Sequence, residues 1–193
     1  MGIRRIDKAG WVRRPHFEYF DSLDHPWLDI GTSVDATEPW TLCQREDGPS
    51  FFAASVFLAL RAVNAVEEFR QRIRGDEVVV HESVNAGITV LRDDETFGFG
   101  YVDSSDDFPT FAAAAAAEVE RLKRESGQLV DRPEDDLIHF SIVPWFSFNA
   151  IGHPRQRGKH DSIPKIALGR CTPQGSSWQL PVAISAHHGL VDA

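Results

Sequence analysis

Leu180-Pro181-Val182-Ala183-Ile184-Ser185-Ala186-His187-His188-Gly189-Leu190-Val191-Asp192 is the stretch on which the rest of the chain is organised. Its first half is apolar and β-branched and reads as a strand that runs out at the two histidines. A strand end is a rigid mount that can aim an imidazole. Gly189 then permits a small turn, and Asp192 follows His188 by four residues. The pattern predicts a general base at His188, with Asp192 either orienting the ring or holding the turn through an arginine.

The chain around it has 193 residues, enough for one domain with a sizeable core. Hydrophobic residues make up 42% and charged residues 25%, the balance of an ordinary globular protein. The formal net charge of −9 argues against general nucleic-acid binding, though it leaves room for a local basic pocket. Cys43 and Cys171 are far apart and have no metal-like spacing, so neither a disulfide scaffold nor a zinc site is expected. The longest apolar run, Ala53 to Leu60, is too short to cross a bilayer. No apolar segment follows Arg4 and Arg5, and Ile6 breaks the myristoylation pattern, so a cytoplasmic protein is expected.

Pro15 suits the first turn of a short helix that turns Phe17 and Phe20 inward. Residues 29–37 read as a strand. Pro49 and Ser50 open a helix in which Phe52, Val56, Ala59, Val63, Val66, Phe69 and Ile73 recur at helical spacing, with Gly75 as its stop. Residues 78–84, 86–91 and 96–101 predict a meander of strands. Asp107 and Pro109 start a second long helix that runs through the alanines to Gly127. Strands follow at 137–143 and 163–168, then a turn at Pro173-Gln174-Gly175, then the final strand. There is no repeat and no linker. Irregular α/β order predicts a mixed or antiparallel sheet with helices on one side.

Other chemistry fits less well. His187, His188 and Asp192 are metal-ligand types, but neighbours on a strand point to opposite faces. A third ligand would have to come from His139 or His160, with no spacing to support it. Gly98-Phe99-Gly100 lacks the third glycine of a dinucleotide loop, and no nucleophile elbow is present.

Three motifs in order give the pattern specificity. The histidine stretch resembles the terminal motif of acyltransferases that use coenzyme A. Trp11-Val12-Arg13-Arg14-Pro15-His16-Phe17-Glu18 resembles the N-terminal signature of the chloramphenicol acetyltransferase family, and Ser141-Ile142-Val143-Pro144-Trp145-Phe146-Ser147-Phe148 resembles its central serine segment. Phe69-Arg70, Gly75-Asp76-Glu77-Val78-Val79-Val80, Glu82-Ser83-Val84, Glu95-Thr96-Phe97 and Pro164 fall in register between them.

The resemblance implies an α/β two-layer sandwich, with a mixed β-sheet and helices packed on one side, formed by a single domain over residues 1–193. It implies acetyl transfer from acetyl-CoA to the primary hydroxyl of chloramphenicol in a ternary complex, without a metal or an acyl-enzyme. His188 matches the family's general base, and Ser141 matches the serine that stabilises the tetrahedral oxyanion. Arg13 and Asp192 match a structural salt bridge beside the base. Arg170 and Trp145 match cofactor contacts. Arg155, Arg157 and Lys159 are either helpers for the cofactor or parts of a solvated loop. The family is a homotrimer with its sites at subunit interfaces, so His188 and Ser141 are expected to meet from different chains.

The acceptor pocket departs from the family. Phe20 stands for a tyrosine, Leu28 and Ile151 for phenylalanines, Ala167 for a threonine and His139 for an asparagine. Ala193 stands where the motif has glycine, which places the end of the domain before the family's C-terminal helix. The departures keep two other readings open: a related acyltransferase with another hydrophobic acceptor, and a non-catalytic ligand binder. The catalytic domain of a dihydrolipoyl acyltransferase shares the histidine motif, but this chain carries no lipoyl domain or Pro/Ala linker.

Overall fold

The structure, a computed structural model, describes residues 2–127, 129–155 and 161–192. Arg157, Lys159, His160 and Ala193 lie outside the described residues.

Alternation along the strands creates two chemically different faces of one large sheet. β2 (Trp27–Asp35), β5 (Asn85–Leu91), β6 (Phe97–Val102), β7 (Leu137–Ile142), β8 (Lys165–Leu168) and β10 (Ser177–His187) lie in the order β2-β10-β8-β7-β5-β6. The short β9 (Thr172–Gln174) also pairs with β10. β7 runs parallel to both β5 and β8, while the other pairs are antiparallel, so the sheet is mixed.

Ile138, Phe140, Ile166, Leu168 and Leu180 belong to the main core, together with Val56, Phe57 and Leu60 of α3 (Phe51–Asn64) and Phe111, Ala115 and Leu122 of α4 (Phe108–Arg124). Asp107 caps α4, its carboxylate accepting from the Thr110 amide at 2.9 Å. The intervening strand positions point to the opposite face and read across the sheet as rows: His139, Lys165, Ser185 and Asp29, then Ser141, Ala167, Ala183 and Gly31. This face, turned away from α3 and α4, holds most of the polar candidates.

The expected two-layer α/β architecture is present, with three differences from the sequence reading. First, the helix opened at Ser50 ends at Asn64, not at Gly75. The Asn64 side-chain amide pairs with the main chain of Val84 in both directions, at 2.9 and 2.8 Å, and fixes that end. A 3-10 turn (Glu67–Arg70) leads into β3 (Gln71–Arg74). Val66, Phe69 and Ile73 kept helical spacing by coincidence of a tight turn with a short strand. Gly75, at φ +58°, turns the hairpin into β4 (Glu77–His81).

Second, there is no single meander. β4 lies between β1 (Ile3–Arg5) and β3 in a separate three-stranded sheet, whereas β5 and β6 belong to the large one. Arg72, fully buried, ties the two sheets together. Its guanidinium donates to the carbonyls of Phe69, Gln71, Asp135 and Leu137. Leu137 is the first residue of β7, so this tie sets the strand that carries Ser141.

Third, a short helix α2 (Thr37–Cys43) follows β2, where no helix was expected. Asp35 accepts from both the amide and the hydroxyl of Thr37, a local signal that opens the turn. No helix among the described residues is long and apolar enough to cross a membrane.

Candidate active site

The end of β10 is gripped by the helix α1 (Arg14–Asp21) and the residue before it. Arg13, the N-cap position, turns its guanidinium onto the histidine turn. Its Nε donates to the Gly189 carbonyl at 2.9 Å, one Nη to the His188 carbonyl at 2.7 Å, and the other pairs with Asp192. The hydrogen bond from Arg13 holds the Asp192 carboxyl below the usual carboxylate range. Asp192 pairs with Arg13, and its other oxygen stands 3.3 Å from His188 Nδ1.

His188 is partly exposed, at 27% of its side chain. Its amide donates to the Pro26 carbonyl at 2.7 Å. Its Nδ1 lies 3.1 Å from the Val191 carbonyl, which can only accept, so the ring proton belongs on Nδ1. Nε2 is then the basic nitrogen. The Phe20 ring lies against the imidazole, with centroids 4.0 Å apart. Leu28 pairs across β2 and β10 with Ala186, next to the same turn.

Ser141 sits elsewhere. Along β7 it is in register with Ala167 of β8, which is in register with Ala183 of β10. Two strand spacings and four residues along β10 separate it from His187, about 15 Å in one chain by standard sheet dimensions. His139 is two residues before Ser141 on the same face, and its ring packs over Gly87, where a Cβ would crowd it at 3.2 Å. Burial, with the Lys165 ammonium adding to it, pushes the His139 imidazole below its ordinary pKa.

The candidate cofactor residues gather at this second centre. Trp145 and Arg170 follow the C-terminal ends of β7 and β8, and both are exposed. Their loops are pinned together: the Arg170 amide donates to the Phe146 carbonyl at 3.0 Å, and Ser147 donates to the Arg170 carbonyl at 3.3 Å. Ile151 lies on the long segment after β7, which crosses the sheet face turned away from α3 and α4 so closely that a Cβ at Gly31 would collide with the Asn149 carbonyl.

Arg155 differs from both expectations held for it. It is neither in a solvated loop nor free for a cofactor, because its guanidinium binds Asp29 at 2.8 Å and stacks 4.1 Å over Trp27. Lys165 approaches the same indole at 4.2 Å and pairs with Asp161 at 2.7 Å. Burial raises the cost of the Asp29 charge, but hydrogen bonds from Ser185 and Arg155 outweigh it and keep the carboxyl ionised. Polar residues at alternating positions of an otherwise apolar strand were the available signal for this network. The Val191 carbonyl could not be foreseen, because main-chain direction in a turn has no side-chain signature.

Among the described residues, no group of three or more His, Cys, Asp or Glu side chains is arranged to hold a metal ion. What the site offers is one oriented imidazole, one exposed-face serine and two exposed loops beside that serine.

A family model for chloramphenicol acetyltransferase matches residues 1–193. The chain belongs to the chloramphenicol acetyltransferase family. This makes it an acyltransferase. It is 27% identical over 197 residues to chloramphenicol acetyltransferase 3 of Escherichia coli, covering all of this chain and 91% of that one. A chloramphenicol acetyltransferase of Clostridioides difficile is 24% identical over 196 residues, covering all of this chain and 90% of the relative. A solved chloramphenicol acetyltransferase superposes with a TM-score of 0.91 at 24% identity, over all of this chain and 93% of that one. The dihydrolipoamide acetyltransferase of Azotobacter vinelandii shares the fold, with a TM-score of 0.68 at 13% identity over 93% of this chain and 79% of its own.

Proposed function

We propose that this acetyltransferase-family member moves an acetyl group from acetyl-CoA to the primary hydroxyl of chloramphenicol, in the cytoplasm, as an antibiotic-resistance enzyme. The observation that carries the reading is the Nδ1 contact of His188 with the Val191 carbonyl, which leaves Nε2 as a base. Nε2 takes the hydroxyl proton as the oxygen attacks the thioester carbonyl, and the Ser141 hydroxyl donates to the resulting oxyanion. The tetrahedral intermediate collapses, the C–S bond breaks, and the imidazolium returns its proton to the departing coenzyme A thiolate. Two bound substrates, one base and one oxyanion donor suffice. Arg170 and Trp145 contact the cofactor, and Phe20, Leu28, His139, Ile151 and Ala167 line the acceptor pocket.

The wide separation of His188 and Ser141 within one chain supports a homotrimer in which the two meet across a subunit interface. His188→Ala and Ser141→Ala proteins, each strongly impaired alone, are then expected to regain activity when unfolded together and reassembled. In each mixed trimer one of the two mixed interfaces pairs an intact His188 with an intact Ser141, while the other carries both substitutions. No recovery from the mixture, with both variants trimeric, argues against the shared site.

The primary test is release of coenzyme A thiol with and without chloramphenicol. Replacing one oxyanion donor typically costs on the order of 10²–10³ in kcat, which is the loss expected for Ser141→Ala. A second reading, another hydrophobic acceptor, draws on Phe20, which has no hydroxyl to offer a polar drug. Thiol release with a different alcohol but not with chloramphenicol selects that reading. Tight binding of the drug without turnover selects a non-catalytic binder.

A further inference from the structure

His187 is a buried titratable side chain that the mechanism above does not use. It closes β10, is 2% exposed, and sits directly behind the turn that carries His188. Its Nδ1 lies 3.2 Å from the Gly189 amide nitrogen. An amide N–H can only donate, so Nδ1 is unprotonated and the ring proton is on Nε2. That nitrogen faces Asp21 Oδ1 at 3.5 Å. Asp21 is the last residue of α1, the helix whose N-cap Arg13 grips the other side of the same turn.

Gly189 is therefore held at both ends of its main chain. His187 takes its N–H, and Arg13 takes its carbonyl at 2.9 Å. A Cβ here would crowd the His187 ring at 3.0 Å and the Phe17 backbone at 3.3 Å, so a side chain would push against both. Glycine has wide φ/ψ freedom, so an unpinned Gly189 would let the turn rotate. Rotation would move the Val191 carbonyl away from His188 Nδ1. The His187 carbonyl adds two further bonds, from the amides of Leu190 at 2.8 Å and Val191 at 3.1 Å.

We propose that His187 is a positioning residue: its neutral ring, its Nε2 proton directed to Asp21, pins the Gly189 amide and so fixes the tautomer and direction of His188. The proposal rests on His188 being the base of the transfer reaction. It gives different jobs to the two adjacent histidines, one for the proton and one for the turn.

Three variants of His187 separate this from packing alone. In His187→Phe the ring shape stays but the acceptor is lost, and kcat is expected to fall roughly 10–100-fold with KM for acetyl-CoA within about twofold. In His187→Asn the side-chain oxygen occupies the position of Nδ1 and accepts from Gly189, so kcat is expected within about fivefold of the parent. In His187→Gln the polar group reaches toward Asp21 instead, and the loss is expected to resemble that of the phenylalanine variant. Nitrogen-15 imidazole spectra of His188 give a second readout that needs no turnover. The parent protein should show the proton on Nδ1, and His187→Phe should show a mixture of tautomers. Equal kcat in the asparagine and glutamine variants, or an unchanged His188 spectrum in His187→Phe, overturns the proposal. Loss of the Nδ1 tautomer in a protein that never acetylates chloramphenicol supports the positioning role and removes only the acceptor assignment.

Discussion

The Phe20 ring lies against the His188 imidazole, with centroids 4.0 Å apart and planes inclined by 37°. The contact limits rotation of the candidate base about its own side-chain bonds. Phe20→Leu keeps an apolar neighbour but loses the flat face, and kcat is expected to fall about 10-fold. Phe20→Tyr keeps the face and adds a hydroxyl toward the proposed acceptor pocket. One added hydrogen bond is worth about 1 kcal/mol, so KM for chloramphenicol should drop about fivefold with kcat little changed. Steady-state kinetics with varied chloramphenicol checks both, and an unchanged KM in Phe20→Tyr removes Phe20 from the acceptor pocket.

Arg13 and Asp192 are expected to be unequal partners. Arg13 holds the carbonyls of His188 and Gly189 as well as the Asp192 carboxylate, whereas Asp192 is 56% exposed and contributes one side of one pair. Arg13→Met should reduce kcat by about 10²-fold, because the turn is released, while Asp192→Asn should cost less than about 10-fold. Parallel kinetics and thermal melts decide it; equal losses in the two variants would mean that the ion pair alone matters.

Acid should weaken the fold before carboxylates titrate. Burial holds the imidazoles of His139 and His153 below the ordinary histidine value of 6.5. The unfolded chain therefore takes up protons near pH 6.5 that the folded chain does not. Their contribution to stability is complete above that pH and declines as the pH falls toward the depressed folded values. Denaturant midpoints should drop between pH 7.5 and pH 5.5, and His139→Asn should flatten the drop. An identical pH profile in that variant would reject the assignment to His139.

Arg72 should be the costliest surface-distant position to alter. Its buried guanidinium donates to four main-chain carbonyls, and Arg72→Leu strands all four. A loss of about 3–5 kcal/mol is expected from equilibrium unfolding, because each buried acceptor left without a donor costs about 1–3 kcal/mol. Burial lowers its pKa to about 10, still far above neutrality, so the residue stays charged throughout the accessible range. A cost below about 1 kcal/mol would show that the two sheets do not depend on this tie.

The last strand, the short α1 and the alanine-rich α4 were legible in the sequence because each carries its own local signal: β-branched residues running into His187, Pro15 in a first turn, Asp107 as a cap. The pairing of Arg13 with Asp192 was legible only through the ordered motifs, since 179 residues separate the two. The end of α3 was not legible. Val66, Phe69 and Ile73 satisfy helical spacing, yet the Asn64 bonds to Val84 and the buried Arg72 place them on a turn and a strand.

Residue types and spacing by themselves thus determined which groups are available: an imidazole at a strand end, a serine on a central strand and an arginine near the N-terminus. Tertiary structure alone decided how they are held. It assigned the His188 proton to Nδ1 through a main-chain carbonyl, buried Arg155 against Asp29 and Trp27, and set Ser141 two strands away from His187. The physical reason is that hydrogen-bond direction, burial and strand register depend on what the folded chain brings alongside each residue, and a linear pattern carries only what lies next to it along the backbone.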